Sequence, residues 1–161
     1  MNLYYLDTSA IVKYYHTEPG SGWVRQIIEK RDKDSDRIYI AEITIAESTA
    51  AFAILARTQR VRIALRDAMY RNFLDNVLTE YRTIHVRREE IDRAAGLTQR
   101  HDLKGYDAVQ LAVALYMDDL LKANDLHLVF ISGDANLLGA AQAEGLATDN
   151  PFDHADLDKE R

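Results

Sequence analysis

Leu3-Tyr4-Tyr5-Leu6-Asp7-Thr8-Ser9-Ala10-Ile11-Val12-Lys13-Tyr14-Tyr15 passes from a continuous apolar run, through one acid, into a segment with helical spacing. A short unbroken apolar run is how a strand buried on both faces reads, as strands of a parallel sheet are. The stretch predicts a strand over Leu3–Leu6 and a helix over Thr8–His16, stopped by the Glu18-Pro19-Gly20 turn. The same order returns near the other end. Leu128–Ile131 reads as a strand, Asp134 follows it within three residues, and a helix runs from Ala135 to Glu144, where Gly145 ends it.

Working outward, a helix is expected over Ser21–Lys33 with Trp23, Ile27 and Ile28 inward, then a charged loop and a strand at Ile38–Ala41. The alanine-rich stretch Thr44–Gln59 is helical. Arg62–Tyr81 is a longer amphipathic helix with Leu65, Met69, Phe73, Val77 and Tyr81 near one stripe. Thr83–Val86 is a strand and Glu89–His101 a helix. Gly105–Lys122 holds the strongest apolar run, Ala108–Leu115 broken only by Gln110, and reads as a central buried helix. A last short strand covers Leu146–Thr148. Strands alternating with helices predict an α/β fold with a mostly parallel sheet and helices on both faces. With no repeat, low-complexity stretch or linker, residues 1–150 are read as one domain and 151–161 as a polar tail.

Composition narrows the function. At 161 residues, 47% hydrophobic and 29% charged, the chain suits one globular domain. It has no cysteine, which excludes disulfides and thiolate metal sites. The start has no leader pattern and no apolar run is long enough for a membrane span, so a soluble, cytoplasmic protein with no membrane partner is expected. The net charge of −6 argues against nucleic acid at first sight, but ten arginines against six acids between Arg57 and Arg100 leave that stretch at +4.

Four acids stand where ligand sites of open α/β sheets lie, beyond the carboxyl ends of strands or in the first turns of helices: Asp7, Glu47, Asp107 and Asp134. Each also has a local reading. Asp7 and Asp134 suit helix N-caps, Thr44 and Glu47 form the T-x-x-E capping-box pattern, and Asp107 suits a helix dipole. The apolar context of Asp107 and Glu47 weighs the other way, because buried carboxylates are rare unless paired or bound to metal. Acids gathered together raise one another's pKa, and a hard divalent cation relieves that repulsion. The five histidines lack metal-ligand spacing, and P-loop, G-x-S-x-G and G-x-G-x-x-G motifs are absent. Tyr4, Tyr5, Tyr14 and Tyr15 read as packing.

Tyr5-Leu6-Asp7-Thr8-Ser9-Ala10-Ile11 resembles the opening motif of PIN-domain nucleases, especially the VapC-like toxins of toxin–antitoxin pairs. Glu47 is similar to the second acid of that family, Gly105-Tyr106-Asp107-Ala108-Val109-Gln110-Leu111-Ala112 to its third motif, and Phe130-Ile131-Ser132-Gly133-Asp134 to its fourth. Family members often carry another acid and an aromatic just after the fourth Asp, where this chain has Asn136 and Leu137. The resemblance implies a three-layer α/β/α PIN-like fold and a metal-dependent endoribonuclease leaving a 5′-phosphate. Asp7, Glu47, Asp107 and Asp134 would be both catalytic and metal-binding, with Mg²⁺ or Mn²⁺ as cofactor. Thr8, Ser9 and Ser132 would give supporting hydrogen bonds, and Arg57, Arg60 and Arg62 are candidate RNA contacts. The implied partners are an RNA substrate, a cognate antitoxin that covers the site, and a second copy in a homodimer. The competing readings are a non-catalytic PIN-like scaffold that binds RNA or protein, and an acid-pocket phosphatase using Asp7.

Overall fold

The computed structural model describes residues 1–159. Five strands, β1 (Leu3–Leu6), β2 (Arg37–Ala41), β3 (Arg82–Ile84), β4 (Leu128–Ile131) and β5 (Ala147–Asp149), form one parallel sheet in the order β3-β2-β1-β4-β5. Seven helices join them: α1 (Thr8–Tyr15), α2 (Ser21–Lys30), α3 (Ile43–Arg57), α4 (Ile63–Thr79), α5 (Arg88–Arg100), α6 (Gly105–Lys122) and α7 (Ala135–Ala143). The chain runs from β1 outward through β2 and β3, then returns to place β4 on the other side of β1. Strand order therefore reverses between β1 and β4. A crevice opens beyond the carboxyl ends of strands at such a reversal.

Alternation along the strands divides the core in two. Leu3, Tyr5 and Phe130 pack with Leu97, Leu111, Val113 and Leu137 from α5, α6 and α7. Leu6, Ile38, Ile40 and Ile131 pack on the opposite face with Ile11, Val24, Ile28, Phe52 and Phe73 from α1 to α4. The result is the three-layer α/β/α arrangement. On the second face Tyr15, Phe52 and Phe73 meet edge-on with ring centroids 5.4–5.9 Å apart, the geometry aromatic quadrupoles favour. Tyr15 is committed to this packing and Tyr5 to that of the first face, where it stacks on Phe130; both phenols find hydrogen-bond partners, Gln110 for Tyr5 and Tyr81 for Tyr15.

Three expectations change. In α2 the buried apolar positions are Val24 and Ile28, one turn apart, whereas Trp23 and Ile27 are half-buried beside them. Trp23 instead stacks on His154, 4.1 Å away. In α4 only Met69 and Phe73 are buried; Leu65 faces solvent, and Tyr81 turns inward from beyond the helix end at Thr79. The Thr44–Glu47 capping box does not form. The helix starts at Ile43, so Glu47 lies in its second turn, and the Thr44 hydroxyl accepts from Gln110 instead.

Residues Pro151–Lys159, expected only as a polar tail, form 3-10 turns kinked at His154 that lie against α2. Asp158 accepts from the Gly20 and Gly22 amides at 2.7 and 2.6 Å. Gly20 has φ of +88°, and a Cβ there would lie 2.4 Å from the Pro151 carbonyl oxygen. Both conditions require glycine. Gly20→Ala is expected to lower stability by about 2 kcal/mol or more, and to expose the chain after residue 150 to limited proteolysis. Unchanged thermal unfolding and an uncut C-terminal segment would show that this contact carries no weight.

Candidate active site

Asp7 leaves β1 at the strand-order reversal with an extended backbone (φ −75°, ψ 177°), which turns its side chain back over the first turn of α1. Its Oδ1 accepts from the Ala10 amide at 2.9 Å and the Ser9 hydroxyl at 2.7 Å, and its Oδ2 from the Ser132 hydroxyl at 2.6 Å. Asp7 is thus an N-cap, but one only 4% exposed. Burial pushes its pKa up to about 6, the nearby Asp107 carboxylate adds to the rise, and the three hydrogen bonds oppose it.

Asp134 follows β4 across the crevice. Its Oδ1 accepts from the Asn136 and Leu137 amides at the start of α7, and its own amide donates to Ser132 Oγ at 3.0 Å. One serine hydroxyl therefore ties the loop after β4 to the acid after β1. Asn136 is exposed, and Leu137 is buried in the core.

Glu47 and Asp107 cap nothing. Glu47 Oε2 accepts from the Thr8 hydroxyl at 2.7 Å and from the Gln110 amide at 2.7 Å. Gln110 also donates to Thr44 Oγ1 at 2.9 Å and accepts from the buried Tyr5 phenol at 2.7 Å. The one polar residue in the apolar run of α6 thus links α6, β1 and α3 and fixes where Glu47 points. Asp107 lies in the first turn of α6, and burial together with the Asp134 and Glu47 carboxylates raises its pKa, while Lys104 offsets this in part. The apolar-sequence argument placed the deepest burial at Glu47 and Asp107. The structure leaves both half-buried, because their helices open onto a pocket, and buries Asp7 instead.

Asp7, Glu47, Asp107 and Asp134 all line that one pocket, of about 1000 Å³. Ala50, Ala51 and Ile54 of α3 form an apolar wall. Thr8 and Ser9 also face it, whereas Ser132 is fully buried beneath. Arg57, Arg60 and Arg62 are exposed at the end of α3 and in the turn to α4, outside the pocket; Arg57 lies one turn past Ile54.

Four lining residues escaped sequence reasoning. Gln110 had a signal, as the lone polar break in its run. Lys13 had a weaker one, sharing a helical face with Ser9; it is 2% exposed and paired with Glu18 at 2.9 Å. Tyr106 was quoted only as part of a motif, and Phe152 had no local signal.

The donor chemistry suits a hard divalent cation, since the carboxylates of Asp7, Glu47, Asp107 and Asp134 line one crevice and Asp107 feels both Glu47 and Asp134. Among the described residues, no three acids or histidines stand close enough to close together on one ion. The fit is therefore to an ion held by fewer carboxylates with water completing the shell, as Mg²⁺ commonly is.

The sequence pattern of the PIN domain family matches residues 4–134, which include all four acids. The chain belongs to the PIN domain family. Among curated proteins, no sequence matches it. Solved structures with the same PIN fold include FitAcB from Neisseria gonorrhoeae, at 18% identity and TM-score 0.64, covering 92% of this chain and 98% of that one. The sarcin-ricin loop cleaving toxin VapC20 of Mycobacterium tuberculosis matches at 16% identity and TM-score 0.59, over 89% of this chain and 96% of that one. A toxin–antitoxin complex from Klebsiella pneumoniae matches at 18% identity and TM-score 0.56, over 94% and 98%. At these identities the likeness is one of fold. No helix among the described residues is long and apolar enough to cross a membrane.

The raised Asp7 pKa gives a signed prediction for this PIN domain. Its protonated form fits the buried site better, so its contribution to stability is fully present below about pH 4 and is lost as pH rises through about 6. Asp7→Asn stays neutral throughout. With chelator present, the wild type should lose roughly 2–3 kcal/mol relative to Asp7→Asn between pH 4 and 7.5, read from denaturant midpoints. A pH-independent difference would mean that Asp7 is not desolvated.

Proposed function

We propose that this PIN domain is a metal-dependent endoribonuclease and the toxin of a toxin–antitoxin pair. The observation that carries the reading is the convergence of Asp7, Glu47, Asp107 and Asp134, from four separate elements, on one pocket at the β1/β4 reversal. Asp7 and Asp107 would hold Mg²⁺ or Mn²⁺ most directly, with Glu47 and Asp134 completing the shell through water. When bound, the ion supplies positive charge at the transferring phosphate and acidifies a water.

The chain's own residues do the positioning. Ser9, Ser132 and the Ala10 amide hold both oxygens of Asp7 in one orientation. Thr8 and Gln110 fix Oε2 of Glu47 and leave Oε1 without a partner in the same network. Two backbone amides hold Oδ1 of Asp134 and leave Oδ2 to the pocket. The apolar wall of α3 limits water on that side. Arg57, Arg60 and Arg62 would meet RNA phosphates beyond the pocket, making binding weaken with salt.

An antitoxin partner is supported by the complex from Klebsiella pneumoniae that shares the fold. A homodimer is supported by exposed Ile63, Leu65 and Tyr70 on α4. The wide spacing of the acids is the observation that favours a non-catalytic scaffold as second reading. An acid-pocket phosphatase using Asp7 as acceptor is disfavoured, because the position two residues on, where a second acid would be wanted, is Ser9.

Cleavage of labelled single-stranded RNA by the purified protein separates these readings. Asp107→Asn is the cleanest control, since Asp107 caps no helix. Cleavage is expected with Mg²⁺ or Mn²⁺, lost with chelator, and reduced about 100-fold or more in Asp107→Asn and Glu47→Gln. Binding without cleavage favours the scaffold, and chelator-resistant cleavage contradicts the metal site.

A further inference from the structure

Two aromatic rings stand on the rim of the acid-lined pocket, Phe152 at 47% exposure and Tyr106 at 51%. They come from opposite layers. Phe152 belongs to the segment packed on α2, and Tyr106 to α6 on the other face of the sheet, so the carboxyl ends of β1 and β4 lie between them.

Phe152 is held in place by contacts that leave its ring open. Its amide donates to Asn150 Oδ1 at 3.0 Å, Pro151 abuts Gly20, and His154 stacks on Trp23. The buried Lys13 ammonium lies 3.8 Å from the ring centroid and occupies one face. The ring also touches the acid-bearing loop: a Cβ on Gly133 would come within 3.1 Å of it. Tyr106 directly precedes Asp107 and is exposed beside Lys104. Both rings therefore border the pocket that the four carboxylates line.

A chain of net charge −6 gains little from long-range attraction to phosphates beyond its local arginines, which leaves room for uncharged contacts to contribute to RNA affinity. Stacking of a base on an aromatic ring is independent of charge and worth about fivefold to a hundredfold in affinity per base. A cation on the far side of a ring draws electron density away from the open face, which favours an electron-rich base there. Bases inside a duplex already have both faces covered.

We propose that Phe152 and Tyr106 are base-stacking platforms on either side of the carboxylates, selecting an unpaired RNA strand with one base laid on each ring. This rests on the nuclease reading above. It makes the C-terminal segment part of the substrate site, and the two rings specificity-determining residues.

The test uses the full chain carrying Asp107→Asn, so that RNA stays intact, and single-stranded oligonucleotides with one 2-aminopurine, scanned along the strand. Some positions should be quenched on binding. Adding Phe152→Leu or Tyr106→Leu should weaken binding about fivefold or more and remove the quench at one position each, while Phe152→Trp should keep both. Without Asp107→Asn, the same Leu variants should cleave single strands with a raised KM, and the parent should cut a matched duplex at least about tenfold more slowly than the single strand. If the parent cuts RNA but the Leu variants bind and quench like it, or duplex and single strand are cut alike, the stacking proposal is wrong and the nuclease reading stands. If the parent neither binds nor cuts RNA, both fall together.

Discussion

Asp7 ends a strand buried on both faces, with its carboxylate almost out of reach of water and a second acid near enough to raise its pKa further. Ionising that group costs more than it would in water on both counts. Much of the local architecture can be understood as a response to it. Two serines and a helix-start amide donate to Asp7; Thr8 and Gln110 donate to Glu47; two helix-start amides donate to Asp134. Asp107 receives only partial relief, from Lys104. A cluster whose repulsion is reduced but not removed by the protein is suited to a cation that arrives from solution.

Topology explains why the acids meet. Reversal of strand order at β1 and β4 leaves a crevice that no crossover helix covers, and the residues following those strands face it. Glu47 and Asp107 reach it from helices on opposite faces of the sheet, α3 and α6. Gln110 spans the gap, touching β1 through Tyr5 and α3 through Thr44 and Glu47. This makes the site a property of the whole three-layer assembly and of no single segment.

What was legible in the sequence follows from the range of the interactions. β1, β4 and α6 read out with the bounds they have, because a buried strand and a buried helix need apolar residues throughout. The bounds of β3 and β5, short and near the sheet edges, came out one or two residues off. The Thr44–Glu47 pattern pointed to a cap that Glu42 displaced, since a four-residue motif cannot tell which residue starts the helix. The positions of Asp7, Asp107 and Asp134 were readable because each is tied to the end of a local element, whereas Glu47, expected in the first turn of its helix, sits in the second turn of α3. Phe152 was not readable: it is brought to the rim by the contact of Gly20 with Asp158, 138 residues apart in sequence.

The most direct test of this account is the position of an ion. Crystals soaked in Mn²⁺ and measured at its absorption edge should show anomalous density in the pocket against Asp7 and Asp107, absent from Asp107→Asn crystals treated alike. A pocket that stays empty while Asp7 and Asp134 keep only their cap hydrogen bonds would contradict it.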